Sequence, residues 1–309
     1  MKFGNFLFPD CRDTERDGIV IDETLREARL SDELGFDVIW LAEHHFDGIC
    51  AYVDPIVMAG ALASSTRHAK IGFAVVQTAL HHPIRLAEQL AILDNITKGR
   101  LIVGLGRGSS YNIYDYQGFG VDHREAQERL EEAEKIILQA WTRERFAYPG
   151  KYWDVDVPML RPRPYTKPHP PIIRAASSDR SLLDLAHQGR PFLMNVQSMA
   201  VTRRRVEVYR QAMREKGYDE AAIARNLCGL LGVAECFCCR NRRRSRAPRD
   251  SDFPSDGRGA GSNAEPDLPR DRYADRSGPE RLALCTRQHR ARVHPRFTGS
   301  GGRGNGGNR

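Results

Sequence analysis

The chain has 309 residues, enough for one large α/β domain or two ordinary domains with a substantial core. Its net charge of +7 is misleading, because residues 236–309 contain 17 of the 47 Lys and Arg residues but only 8 of the 40 acidic ones. Residues 1–235 are nearly neutral, which argues against a nucleic-acid partner. No apolar run reaches the roughly 20 residues of a membrane span, and the N-terminus is typical of a strand rather than a signal peptide. We therefore expect a cytoplasmic protein that has no contact with a membrane.

Strand and helix patterns alternate through the first 235 residues. Hydrophobic runs predict strands at 3–8, 38–42, 71–76, 101–105, 171–175, 192–196 and 227–234. Helical spacing with capping residues predicts helices at 22–34, 55–65, 83–98, 122–141, 179–188 and 202–216. The proline-rich segment 148–167 predicts an irregular loop with a short hairpin. Repeating βα units of this length predict a parallel sheet, and their number favours a TIM (β/α)₈ barrel over an open doubly wound sheet.

The composition changes abruptly at residue 236. Residues 236–309 contain one Val and no Ile, Met, Lys or Trp, so they cannot bury enough apolar surface to fold. We therefore predict a folded domain at 1–235 and a disordered tail at 236–309, with the barrel incomplete after its seventh strand. An out-of-frame reading of a GC-rich gene would give this Arg-, Gly- and Pro-rich composition. A basic tail that binds nucleic acid is the alternative.

Three titratable residues, Glu43, His44 and His45, directly follow the strand at 38–42. The carboxyl ends of parallel strands are where α/β folds gather their functional groups. Strand alternation sends Glu43 and His45 to one side and His44 to the other. A neutral imidazole suits a general base, whereas adjacent histidines diverge and do not predict a metal site. The alternative is that these are ordinary polar residues at the end of a strand.

The residues that follow two later strands are of types that could bind an anion. Gly106, Arg107 and Gly108 follow the strand at 101–105, and glycine permits close backbone approach beside a cation with bidentate donors. Ser177 and Ser178 precede the helix at 179–188, whose free amides would favour a phosphate. Each segment alone is also explained by a simple turn or an N-cap. Barrel geometry would let the two segments converge on one phosphate.

Several motifs occur together in the order of one known family. They are the N-terminal strand, the Glu43-His44-His45 segment, the His82-Pro83 helix start, Asp94 with Lys98-Gly99-Arg100, and Arg107-Gly108. Over residues 1–235 the chain resembles the bacterial luciferase-like flavin-dependent monooxygenases, and among them the luciferase alpha-chain pattern. The resemblance implies a TIM barrel that binds reduced FMN, supplied by a separate flavin reductase. It also implies reaction with O₂ on a small organic substrate such as an aldehyde, in a homo- or heterodimer.

The resemblance also assigns roles to individual residues. His44 would be the active-site base, with Glu43 and His45 beside it. Arg107 and Ser178 would hold the FMN phosphate, with Gly106, Gly108 and Ser177 alongside. Ala74 and Val75 match a pair that is joined by a non-proline cis peptide bond under the flavin ring.

The sequence also departs from the family pattern. Ser177 replaces an acidic residue of the luciferase pattern, and two extra residues stand between Arg107 and Asp115. Two alternatives follow. One is a deazaflavin-dependent oxidoreductase of the same superfamily, and the other is a non-catalytic luciferase-like subunit.

Overall fold

The computed structural model describes residues 2–109, 112–195 and 197–228, and within them strands and helices alternate as predicted. The strands are β1 (Gly4–Leu7), β2 (Val38–Leu41), β3 (Lys70–Phe73), β4 (Val76–Gln77), β5 (Leu101–Gly106), β6 (Phe146–Pro149), β7 (Asp154–Val157), β8 (Ile172–Ala175) and β9 (Phe192–Leu193). The helices are α1 (Asp17–Glu33), α2 (Pro55–Ser65), α3 (Pro83–Thr97), α4 (Ile113–Gly118), α5 (Ala126–Thr142), α6 (Asp179–His187), α7 (Met199–Glu215) and α8 (Glu220–Cys228).

The main sheet is parallel and has the order β1, β2, β3, β5, β8, β9. Strand β4 follows β3 after a short break and also pairs with β5. The remaining two strands, β6 and β7, form the predicted hairpin in the connection between α5 and β8. The fold is therefore α/β, and six consecutive strand positions of a TIM barrel lie within the described residues. None of the described helices combines the length and apolar character that crossing a bilayer requires.

Side chains of the sheet alternate between two apolar layers. In β2, Ile39 and Leu41 join the large core between the sheet and the helices, which includes Leu62 and Leu90. Trp40 points to the opposite face and packs in a smaller cluster that contains residues of β2, β8 and β9. Alternation of this kind is expected when both faces of a parallel sheet are covered. It leaves the strand ends as the places where polar side chains can gather.

The amino end of the sheet is held by the carboxylate of Asp32. The two carboxylate oxygens accept hydrogen bonds from the backbone N–H groups of Arg67, His68 and Ala69 at 2.6 to 2.8 Å. These residues lead into β3, so a side chain near the end of α1 fixes the entry to a neighbouring strand. Charge-assisted hydrogen bonds of this type are among the stronger ones in proteins.

Two sequence predictions need correction, and one helix was not predicted. Helix α1 begins at Asp17 rather than Asp22, because a short 3₁₀ turn capped by Asp13 leads directly into it. Helix α4 lies between the strand predicted at 101–105 and the helix predicted at 122–141, where the sequence pattern gave no helix. Residues 227–228, where the seventh strand was predicted to begin, belong to α8. The Asp219 carboxylate lies just before this helix and accepts a hydrogen bond from the backbone N–H of Ala222. The rest of that predicted strand and the 236–309 tail lie outside the described residues.

Candidate active site

The carboxylate of Glu43 is the centre of a buried polar cluster just beyond β2. Only 3% of the residue's surface is exposed. Its Oε1 atom lies 2.9 Å from Nε2 of His45 and 2.8 Å from Nε2 of His81. Its Oε2 atom accepts a hydrogen bond from the backbone N–H of Gln77 at 2.7 Å. A carboxylate can be buried in this way because each oxygen has a donor.

Gln77 joins this carboxylate to a second buried acid. Its side-chain amide donates to the Glu43 carbonyl and to Oδ2 of Asp115, both at 2.8 Å. Oδ1 of Asp115 in turn accepts the backbone N–H of His45 at 2.7 Å. The segments that follow β2 and β4 are thereby tied to helix α4. Networks in which the buried groups are hydrogen-bonded to one another hold loops in one arrangement.

Charge in the cluster is set by the competition between burial and hydrogen bonding. Burial alone would raise the pKa of Glu43, but hydrogen bonds from His45, His81 and Gln77 and the charge of His81 outweigh it and lower the pKa to about 2. Burial would lower the pKa of His81, whereas its hydrogen bond to Glu43 and the charges of Glu43 and Asp54 raise the pKa above the ordinary value. Glu43 is therefore an anion at any physiological pH.

His44 faces away from this cluster, as strand alternation predicted. Its ring meets Phe8 edge to face, with 5.2 Å between ring centroids. Its Nδ1 atom lies 3.8 Å from Oδ2 of Asp47, too far for a hydrogen bond. The imidazole is partly exposed beyond the ends of β1 and β2. A bound molecule can therefore reach the His44 ring, whereas His45 is buried.

The break between β3 and β4 contains the predicted apolar pair. The peptide bond between Ala74 and Val75 is cis, the geometry that the resemblance implies. Both residues are partly buried and pack against the Trp40 cluster. The Val75 side chain occupies the space next to Gly106, where any side chain at position 106 would collide with it. Val75 is therefore held against the end of β5.

Arg107 follows β5 and is exposed, and no carboxylate pairs with its guanidinium in the part of the chain that the structure describes. Its backbone carbonyl accepts a hydrogen bond from the Tyr116 hydroxyl at 2.7 Å. Gly108 has φ +91° and lies against the side-chain oxygen of Gln77 and the Tyr116 hydroxyl, so a Cβ would not fit. The backbone around the cation is consequently fixed, while the cation itself is free to bind an anion.

Ser177 and Ser178 lie at the start of α6, and both are exposed. The Ser178 hydroxyl caps the helix by accepting the Ser181 amide at 3.2 Å, within a reciprocal capping box. Asp179 adds a negative charge to the first turn, but Arg204 and Arg205 pair with it at 2.9 and 3.2 Å. Two guanidinium groups therefore offset one carboxylate, and the surroundings of the helix start remain favourable to an anion.

Strand register places these segments along one edge of the sheet. Leu105 of β5 pairs with Arg174 of β8, so the residues after β5 and β8 emerge side by side. Gln77 of β4 pairs with Gly106, which brings the Glu43 cluster next to the same position. The exposed Arg107 and the start of α6 thus lie on one side of the Ala74 and Val75 segment, and the titratable groups around Glu43 lie on the other. A cavity of about 480 Å³ near α1 lies elsewhere, and none of the predicted site residues lines it.

An aromatic cluster borders the titratable groups. The ring of Phe119 lies 4.9 Å from that of His45 and 5.6 Å from that of Phe46. Phe46 and Phe119 are 59% and 47% exposed, which is unusual for large apolar side chains. They add apolar surface beside His45, suited to limiting water at a reactive centre.

Sequence reasoning identified Glu43 and His45 but missed His81 as a member of the cluster. The available signal was position, because His81 and Gln77 follow the third predicted strand as Glu43 follows the second. The sequence pattern assigns His82-Pro83 to the start of α3 and gives His81 no separate role. Long-range contacts of this kind have no periodic signature in the sequence.

The site can now be compared with known proteins. A model of the family described as luciferase-like monooxygenase matches residues 1–273. The chain belongs to this family. Among the family's proteins, the alkanal monooxygenase alpha chain of Photorhabdus luminescens is 30% identical over 224 residues, 71% of this chain and 60% of its own length.

Two solved structures also resemble the chain. The monooxygenase RslO1 from Streptomyces bottropensis is 31% identical with a TM-score of 0.64, over 71% of this chain and 68% of its own. The oxygenating constituent of 3,6-diketocamphane monooxygenase from Pseudomonas putida, in complex with FMN, is 23% identical with a TM-score of 0.63, over 72% and 65% of the two chains. The latter similarity concerns the fold alone. The luciferase-like chain spans 54%, 60% and 61% of the length of three of the curated relatives it matches.

Proposed function

We propose that this protein is an FMN-dependent monooxygenase that uses reduced flavin and O₂ on a small organic substrate such as an aldehyde. The observation that carries the proposal is the shared sheet edge of three groups. These are the free cation of Arg107, the apolar Ala74 and Val75 segment, and the titratable cluster around Glu43. Family membership supports the reaction class.

The residues present fit a flavin phosphate and ring. Arg107 would bind the phosphate together with the start of α6 at Ser178, because an unpaired guanidinium and free helix amides both favour an anion. Gly106 and Gly108 keep the backbone close to this position, and Ser177 lies beside it. Ala74 and Val75 would support the flavin ring through apolar contact. These residues therefore match FMN, an elongated molecule with a charged phosphate at one end and a flat ring at the other.

Bound reduced FMN would supply two electrons and the position at which oxygen is activated. His44 is partly exposed and would take or return a proton as the base of the site. Glu43 stays ionised and orients His45. Phe46 and Phe119 would limit water, which matters because water diverts reactive flavin chemistry toward unproductive products. A flavin reductase partner, a dimeric state and a cytoplasmic location belong to the same proposal.

A titration with three outcomes tests the function. The purified protein is mixed anaerobically with reduced FMN or with a reduced deazaflavin, and binding is followed by absorbance. We then expect oxygen consumption to depend on FMN, a flavin reductase and an aldehyde, and to fall at least 100-fold in His44→Ala. Preferential binding of the deazaflavin would replace the proposal with a deazaflavin-dependent oxidoreductase. Flavin binding without turnover would instead indicate a non-catalytic subunit, and turnover unchanged by His44→Ala would refute the role of His44 as the base.

A further inference from the structure

His81 reaches Glu43 from a different segment than His45 does. His45 follows β2, whereas His81 lies between β4 and α3, and both Nε2 atoms contact the same carboxylate oxygen at 2.9 and 2.8 Å. An ionised carboxylate only accepts hydrogen bonds, so both Nε2 atoms must carry hydrogen. Nδ1 of neither ring has a hydrogen-bond partner among the described residues. One anion therefore selects the tautomer of two imidazoles.

We propose that His81 is a positioning residue of this site, which shares Oε1 of Glu43 with His45 so that the two rings form one proton-holding pair. The inference rests on the proposed function for its catalytic meaning, but its geometry does not. Each ring keeps its Nε2–H on Glu43 and offers Nδ1 as the acceptor for a further proton. The Glu43 anion favours the first added proton, and the charge of that proton then opposes a second.

The charges around the pair come from three elements. Glu43 and His45 belong to the segment after β2, and Asp54 caps α2 on the side of His81. Asp115 on α4 is joined to the cluster through Gln77. Within the described residues, the charges that act on His81 are the carboxylates of Glu43 and Asp54. They favour a protonated ring, in agreement with the raised pKa of His81.

The pair predicts how His45 depends on His81. When His81 is protonated, its charge offsets part of the Glu43 charge that also faces His45. A substitution that removes the imidazole of His81 but keeps the hydrogen bond to Glu43 changes the charge near His45 without changing the packing. His81→Gln does so, because the glutamine amide can donate to Glu43 as Nε2 does. His81→Ala removes both the hydrogen bond and the proton site.

The first experiment needs no flavin. Long-range ¹H–¹⁵N NMR spectra of the full chain distinguish protonated from unprotonated imidazole nitrogens, with assignments from single His→Gln variants. We expect Nε2–H and unprotonated Nδ1 for both His45 and His81 at high pH, and loss of this preference in Glu43→Gln. At high pH, where the ring is neutral, a proton on Nδ1 of His81 together with an unprotonated Nε2 would overturn the proposal, whether or not flavin binds.

The second experiment measures the oxidation of bound reduced FMN by O₂ in stopped flow between pH 5 and 9. We expect His81→Gln to keep FMN affinity within about twofold and to move the midpoint of the pH profile by about one unit. His81→Ala should lower the rate about tenfold, similar to the loss of other partners that orient an imidazole, and Gln should restore most of it. His187→Gln, an exposed histidine at the end of α6, is the control.

The outcomes separate the two proposals. If the His81→Gln profile matches that of the unmodified protein and the variants differ only in thermal stability, His81 is a packing residue and the inference fails. If FMN does not bind the unmodified protein, the proposed function fails, while the NMR spectra still decide whether His45 and His81 share Glu43.

Discussion

Replacement of Arg107 by Ala is the sharpest test of the phosphate end of the site. The guanidinium is exposed and pairs with no carboxylate within the described residues, so its removal breaks no internal ion pair. Its backbone carbonyl, which holds Tyr116, is kept. Loss of one charge-assisted hydrogen bond to phosphate should weaken FMN binding by about 1.5 to 3 kcal/mol. This corresponds to a roughly 10- to 150-fold rise in Kd.

The assay compares FMN with riboflavin, which lacks the phosphate. Anaerobic titrations by fluorescence or absorbance give Kd for both reduced flavins in the unmodified protein and in Arg107→Ala. Riboflavin affinity should change less than twofold, and Arg107→Lys should recover part of the loss because it keeps the charge but not the bidentate donors. Arg29→Ala, which removes an exposed arginine from α1, should change neither affinity. Equal losses for FMN and riboflavin, or no loss, would refute the phosphate assignment.

Three further predictions concern the network and the scaffold. The pKa of Glu43 is lowered to about 2, so its contribution to stability is lost progressively as the pH falls below about 4.5. The pKa of His81 is raised, so its contribution is lost as the pH rises above about 6.5. Urea unfolding should therefore show the largest destabilisation by Glu43→Gln between those two pH values. Gly108→Ala should lower the free energy of unfolding by about 2 kcal/mol or more and weaken FMN binding. Gly120 has a similar positive φ but open space around it, so Gly120→Ala should lower the free energy of unfolding by only about 1 kcal/mol. Thermal unfolding measures both changes. Asp32→Ala should destabilise by about 3 kcal/mol in urea and leave flavin affinity unchanged, since it frees three backbone N–H groups far from the site.

The arrangement of strands was predictable because burial on both faces leaves a strong signal. The strands at 38–42 and 101–105 are almost continuous apolar runs, and the structure has β2 and β5 there. Helix starts were less predictable where the cap lies before the apolar pattern begins. Asp13 caps a 3₁₀ turn ahead of α1, whereas the sequence pattern pointed to Asp22. Short helices such as α4 have too few turns for periodicity to show.

The candidate site was predictable at its strand ends but not in its connections. Glu43 and His45 were expected to share a side from alternation alone, and they are hydrogen-bonded to each other. Their contacts with His81, Gln77 and Asp115 depend on how three separate segments meet. Sheet register determines that meeting, and here it is fixed by pairing between strands that lie far apart in the sequence. The roles assigned to Arg107 and to the start of α6 remain predictions.

Buried carboxylates at the two ends of the sheet show why residue type alone does not identify chemistry. At the amino end, Asp32 accepts hydrogen bonds from three backbone N–H groups, and Asp94 accepts them from the backbone N–H and the hydroxyl of Thr166, so none of these donors titrates near neutral pH. At the carboxyl end, Glu43 accepts hydrogen bonds from two imidazoles, the type of side chain whose ordinary pKa lies closest to neutral pH. Asp94 belongs to one of the motifs that carry the family resemblance, yet its partner is Thr166, on the hairpin side of the scaffold. The nature of the donors, rather than the presence of a buried acid, therefore distinguishes the end of the fold at which proton chemistry can occur.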